Sequence, residues 1–196
     1  MASAQSATVP LIQKFDTSLP GVWELRPKVH SDSRGFFLES YHAARYAELG
    51  IYDTFVQDNQ SFSIQGTLRG LHYQLEHPQA KLCRVVEGSA LDVVVDIRRG
   101  SPQFGKWTSI VLSAELGNQL YVPPGFAHGF LALSERIQFL YKCSDYYCRA
   151  DEYGIIWNDP ELAITWKAQD PLVSDRDARH PRLSAVPPEF LPIFQA

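Results

Sequence analysis

The run Leu91-Asp92-Val93-Val94-Val95-Asp96-Ile97 constrains the fold more than any other stretch of the chain. Leu91, Val93, Val95 and Ile97 fall on one side of an extended backbone, and Asp92 and Asp96 on the other. That is the period of a strand, not of a helix. Segment 81–86 precedes the run across Glu87-Gly88-Ser89, so the two segments read as a hairpin. Further short runs rich in β-branched and aromatic residues span 36–41, 55–63, Thr67–Gln74, 107–112, Gln119–Val122 and 138–143. Gly, Pro, Asn and Asp separate them. One short helix is predicted over 43–49, stopped by Gly50. Many short strands with turns between them predict an all-β sandwich or barrel. Residues 1–15 read as a flexible N-terminal arm and 16–196 as a single domain. Its tail carries Pro171, Pro181, Pro187, Pro188 and Pro192, too many prolines for a central strand, and is predicted to wrap the surface.

Composition narrows the functions open to such a domain. With 196 residues and 45% hydrophobic content, the chain can bury one sizeable core, which excludes whole-chain disorder. A net charge of −4 excludes a general nucleic-acid or polybasic membrane surface, so any anionic ligand must meet a local cluster of Arg and Lys. No apolar run reaches the ~18–20 residues needed to span a bilayer. The first residues lack the basic and apolar regions of a secretory signal. Cys83, Cys143 and Cys148 are odd in number and form no CxxC, which argues against a disulfide framework and for a reduced, cytoplasmic protein.

Two segments fit a spacing template. From Gly117 the chain runs five residues to Pro123, then Gly125, then His128. This resembles the second motif of the cupin family, whose fold is a double-sheet jelly roll. The first cupin motif supplies two histidines separated by one residue and a glutamate separated from a glycine by six residues. Here His72 occupies the first position, but Gln74 replaces the second histidine and Lys81 the glutamate before Gly88. A metal cage needs neutral imidazoles and a carboxylate. An amide and an ammonium in their place argue against a metal and suit proton transfer beside a developing negative charge.

The resemblance then becomes closer. Asp32-Ser33-Arg34-Gly35-Phe36-Phe37-Leu38-Glu39-Ser40, Phe55-Val56-Gln57-Asp58-Asn59, Leu68-Arg69-Gly70-Leu71-His72-Tyr73-Gln74 and Asp92-Val93-Val94-Val95-Asp96-Ile97-Arg98 stand in one order. Pro124-Gly125-Phe126-Ala127-His128-Gly129-Phe130, Phe139-Leu140-Tyr141-Lys142 and Trp157-Asn158-Asp159-Pro160 follow. Together, over roughly 21–177, they are similar to the dTDP-4-dehydrorhamnose 3,5-epimerase family. The resemblance implies a cupin double-sheet jelly roll with short peripheral helices. It implies epimerisation of dTDP-4-keto-6-deoxy-D-glucose at C3 and C5, without a cofactor, towards dTDP-L-rhamnose. His72 is the implied base, with Asp177 as its carboxylate partner and Asp175 as a close competitor. Tyr141 is the implied acid on the opposite face, and Lys81 stabilises the enolate. Arg34 and Arg69 would hold sugar and diphosphate, since guanidinium forks suit phosphate oxygens. Glu39, Gln57, Asp58, Asn59, His128, Glu152 and Arg176 match substrate-contacting positions. His128 also fits a structural role in its Gly-containing turn. The family forms homodimers with exchanged strands, so Arg34 and Glu39 are implied to serve a partner's site.

Three other readings share parts of this pattern: an epimerase or ketoisomerase acting at one carbon, a metal-dependent cupin, and a cupin that binds nucleotide sugar without turnover. Gln74 and Lys81 oppose the second. The joint presence of His72, Tyr141 and Lys81 opposes the third. One geometric demand is specific. Arg69 and His72 differ by an odd number, so a regular strand turns them to opposite faces. For both to meet a ligand, the chain must be irregular at Gly70.

Overall fold

The computed structural model describes residues 10–195. In chain order the strands are β1 (Ile12–Asp16), β2 (Trp23–Pro27), β3 (Val29–Asp32), β4 (Gly35–Leu38), β5 (Gln57–Ile64), β6 (Thr67–Gln74) and β7 (Lys81–Glu87). There follow β8 (Ser89–Asp96), β9 (Trp107–Ser113), β10 (Gln119–Val122), β11 (Phe126–Ala132), β12 (Arg136–Cys143), β13 (Glu152–Gly154) and β14 (Leu172–Val173). The helix α1 (Ala43–Glu48) lies between β4 and β5.

One antiparallel sheet has the order β1-β2-β10-β7-β12-β5; the other runs β13-β6-β11-β8-β9, with β14 parallel to β6. This is the double-sheet jelly roll. The hairpin β3–β4 pairs with neither sheet. Between the sheets, Cys83, Val85, Leu120, Val122, Ile137 and Phe139 from the first meet Ala90, Val94, Leu112, Phe126 and Phe130 from the second. Phe130 and Phe139 stack at 4.1 Å across this core. The back of the second sheet is covered by Ile155, Leu162, Trp166, Leu183, Val186 and Leu191, which come from the segment after β13. The proline-rich tail therefore wraps the surface, as its composition predicts. A third apolar cluster joins Tyr46 of α1 and Ile51 to Leu25, Leu82 and Tyr121 on the back of the first sheet.

The burial of β8 goes further than its alternation suggests. Every residue from Ala90 to Asp96 is buried, because the tail covers one face and the opposing sheet the other. Asp92 and Asp96 therefore sit inside the protein. Asp96 is neutralised by Arg98 at 2.7 Å and accepts a hydrogen bond from Ser101 at 2.7 Å.

The inner end of the expected arm is a strand. Residues 1–9 of the arm lie outside the described residues, but β1 pairs with β2 in antiparallel register from Ile12 to Asp16. Only Ile12 of β1 is buried, so an edge strand with one inward side chain leaves no apolar alternation to read. The strand β11 also escapes the sequence reading. Its seven residues are all buried and include Gly129, so alternation and β-propensity are both muted.

The irregularity demanded at Gly70 is present. His128 pairs with His72 and Phe130 with Arg69, so β6 carries one residue more than β11 in that interval. The extra residue turns Leu68, Leu71 and Tyr73 to the back of the sheet, while Arg69 and His72 line the cavity. Gly70 has φ +119°, and a Cβ there would lie 2.5 Å from Gly129 Cα and 2.8 Å from the His128 carbonyl. Two facing glycines thus let β6 and β11 approach at the bulge. Gly70→Ala should lower unfolding stability by roughly 2–5 kcal/mol, the sum of backbone strain and overpacking. A denaturant midpoint equal to that of the parent would contradict this account.

Candidate active site

The jelly roll holds a cavity of about 740 Å³ between its sheets. One wall is β6, which supplies Arg69 and His72; the other is β5, β7 and β12, which supply Gln57, Asn59, Lys81 and Tyr141. Glu152, Arg176 and Asp177 line it from β13 and from the segment after β14. Ten of the thirteen site residues read from the sequence therefore meet in one cavity: His72, Tyr141, Asp177, Lys81, Gln57, Asn59, Arg69, His128, Glu152 and Arg176.

His72 is held at one ring nitrogen and has a second carboxylate near the other. Nε2 lies 2.8 Å from Asp177 Oδ1, and Nδ1 lies 3.9 Å from Glu152 Oε1. Asp177, not Asp175, is thus the partner; Asp175 is exposed. Burial raises the pKa of Asp177, but the nearby His180 ring and the hydrogen bonds from His72 and the Gly70 N–H outweigh it and hold the carboxyl well below the usual carboxylate range. Asp177 is consequently ionised at neutral pH. With Nε2–H donated to Asp177, the lone pair of His72 is on Nδ1.

Tyr141 stands on the opposite sheet, and burial pushes its phenol up to about 12. It therefore keeps its proton at neutral pH and can donate it. Lys81 is on β7, which lies between β10 and β12 in the sheet interior. Its place in the cavity wall removes the ordinary explanation of an edge-strand lysine facing water. Arg69 is anchored by Ser63 Oγ at 3.1 Å and the Phe62 carbonyl at 3.2 Å, with part of its guanidinium left for a ligand. At the rim, Glu152 pairs with Arg176 and accepts a hydrogen bond from the Tyr147 hydroxyl at 2.7 Å.

His128 is buried on the cavity floor, with Nε2 2.6 Å from Asp92 Oδ1 and 3.7 Å from Cys83 Sγ. These contacts fit the structural role read for it in the sequence. Three expected residues lie outside the cavity. Asp58 points away because it alternates with Gln57 and Asn59 on β5, and it pairs with Lys142 at 2.8 Å. Arg34 pairs with Asp32 at 2.6 Å on the separate hairpin, and Glu39 pairs with Arg45. Neither reaches the cavity of its own chain.

Two groups of side chains have metal-ligand chemistry among the described residues: His72 with Asp177 and His180, and Cys83 with Asp92 and His128. At the cupin ligand positions themselves, Gln74 is occupied elsewhere. Its amide donates to the His77 carbonyl at 2.8 Å and accepts from the Cys148 N–H at 2.8 Å. The Lys81 ammonium is the wrong charge for a cation cage.

Sequence reasoning missed Tyr147 and His180. Tyr147 lies in a loop with no pattern to mark it. His180 follows Asp177 by three residues, the spacing of one tight helical turn, and that signal was available.

The cavity thus carries a phenol and an ammonium on one wall and an imidazole–carboxylate pair on the other. Residues 16–185 match the family described as dTDP-4-dehydrorhamnose 3,5-epimerase. The enzyme of that name from Shigella flexneri is 50% identical over 163 residues, covering 82% of this chain and 90% of the relative. A dTDP-6-deoxy-D-glucose-3,5-epimerase from Legionella pneumophila, solved with dTDP-4-keto-L-rhamnose, superposes with a TM-score of 0.92 at 46% identity. That match covers 94% of this chain and 100% of the Legionella chain. A 3'-monoepimerase from Streptomyces bikiniensis, solved with dTDP-quinovose, has a TM-score of 0.84 at 36% identity, over 90% and 91% of the two chains. The chain belongs to the dTDP-4-dehydrorhamnose 3,5-epimerase family.

Proposed function

We propose that the protein epimerises dTDP-4-keto-6-deoxy-D-glucose at C3 and C5 to give dTDP-4-keto-L-rhamnose, through enolates and without a cofactor. The observation that carries this reading is the placement of His72–Asp177 and Tyr141 on facing walls of one cavity, with Lys81 in the wall. Protons on C3 and C5 are acidic because both carbons flank the C4 ketone. Removing one spreads negative charge onto the ketone oxygen, which an ammonium such as Lys81 stabilises. His72 Nδ1 takes the proton from one face, and the resulting imidazolium is balanced by ionised Asp177. Tyr141, protonated at neutral pH, returns a proton from the other face, and the carbon is inverted. Arg69 and Arg176 supply the local positive charge that the diphosphate needs and the net charge withholds. Gln57 and Asn59 present amides from β5 towards the same ligand.

The reading includes a homodimer in the cytoplasm. In support, Phe36 and Phe37 of the unpaired hairpin are 66% and 70% exposed, next to Arg34 and Glu39, which do not reach their own cavity. A second copy that exchanged this hairpin would cover the two rings and receive both charged groups. The three free thiols fit a reducing compartment.

The kinship with a 3'-monoepimerase makes action at one carbon the specific competitor. Proton NMR of the enzyme with dTDP-4-keto-6-deoxyglucose in deuterated water separates the readings. Deuterium is expected at both C3 and C5. Entry at C3 alone would reduce the protein to a monoepimerase, and entry at neither would remove the assigned substrate.

A further inference from the structure

His180 closes the 3₁₀ turn Asp177–Arg179 and folds back against Asp177. Its side chain is 11% exposed, and Nε2 lies 3.6 Å from Asp177 Oδ1, the same oxygen that faces His72. The two imidazoles stand edge to face, with centroids 5.7 Å apart and planes at 75°. Buried Nε2 of His180 has no hydrogen-bond partner. At 3.6 Å the contact with Asp177 is just beyond hydrogen-bond length, and a small ring movement closes it.

The room for this ring is made by a glycine. Gly154 is the β13 residue paired with His72, and a Cβ there would lie 2.4–2.6 Å from three ring atoms of His180. The second imidazole therefore enters the space that any other residue beside His72 would fill.

We propose that His180 is a positioning residue, which braces Asp177 so that one carboxylate oxygen serves two imidazoles and pulls less strongly on the proton of His72. The inference rests on the proposed role of His72 as base. A donor on Oδ1 withdraws electron density from the carboxylate, and a carboxylate with less density stabilises the His72 imidazolium less. The other groups facing this pair are fixed: the Gly70 N–H at 3.3 Å from Asp177 Oδ2, and Glu152 beside His72, itself paired with Arg176 and Tyr147. Lys81 and Tyr141 face the pair across the cavity, and Arg69 lines it from the same strand as His72. Replacing His180 changes none of these charges, so the sign of its effect is defined. Without the brace, His72 keeps its proton to higher pH and less of it is the free base.

The test is the pH profile of kcat/KM. His180→Leu should move the acid limb to higher pH by about half a unit to one unit, with the high-pH plateau falling less than about tenfold. His180→Gln, which restores an N–H donor, should bring the limb back towards the parent. An acid limb in His180→Leu that coincides with the parent, or moves to lower pH, overturns the proposal. ¹⁵N NMR of the imidazoles in the unaltered protein needs neither a variant nor substrate. His72 and His180 should titrate as a coupled pair, and independent single-step titrations would overturn the brace. Coupled titration in a protein that does not turn over the proposed sugar would count against the substrate assignment alone.

Discussion

His72→Asn should remove deuterium exchange at both C3 and C5 and lower turnover by about 10²–10⁴-fold, with dTDP-sugar binding retained. Asparagine keeps a donor that can face Asp177 Oδ1, now 2.8 Å from the imidazole, so the carboxylate is not left bare in a buried site. What it lacks is a nitrogen lone pair that accepts a proton near neutral pH. A single base is assigned to both carbons because Asp177–His72 is the one His–carboxylate pair in the cavity at hydrogen-bond distance that is not sealed in its floor. The other pair, His128–Asp92, is 7% and 0% exposed. Rate measurement together with isotope exchange checks this. Exchange surviving at one carbon in His72→Asn would show that a second base serves that carbon.

Lys81→Met should lower kcat by about 10²–10³-fold while KM changes little. Methionine matches the length of the lysine stem without its charge, so the wall keeps its shape. Charge on the ketone oxygen exists only once a proton has left carbon, so a group that stabilises it acts on kcat. The outcome discriminates between two roles for one ammonium. If Lys81 instead holds the diphosphate, which is charged from the start, KM will rise and kcat will stay. Isothermal titration with dTDP would show the same loss directly.

Among the strands that could be read from the sequence, Thr67–Gln74 and Gln119–Val122 have bounds that agree with the structure, because turn residues mark off their β-branched and aromatic residues. Those that escaped are uniformly buried with a glycine inside, nearly all exposed, or very short. β11 is buried on both faces, β1 buries one residue, and β13 and β14 have three and two residues. The parity conflict between Arg69 and His72 proved more informative than any propensity, because it placed a bulge at Gly70 that pairing register then displays. For the cavity, spacing and resemblance located the chemical groups, but not the direction of each side chain. Asp58 illustrates the limit: its motif neighbours Gln57 and Asn59 enter the cavity, and simple alternation sends it outward to Lys142. Alternation was available in the sequence and outranks motif membership. Asp177 could be matched to a motif but not separated from Asp175, since only the fold of the turn decides which carboxylate is buried.

The contact between His72 and Asp177 spans 105 positions of the chain. Asp177 arrives on the same segment that seals the back of the second sheet through Leu183, Val186 and Leu191. Contacts this distant in sequence close late, after the loop entropy between them has been overcome by nearer pairings. The segment that covers the back of the second sheet therefore also delivers the carboxylate that pairs with His72, so trimming it back past Asp177 would cost the sheet its apolar cover and the cavity its buried carboxylate together.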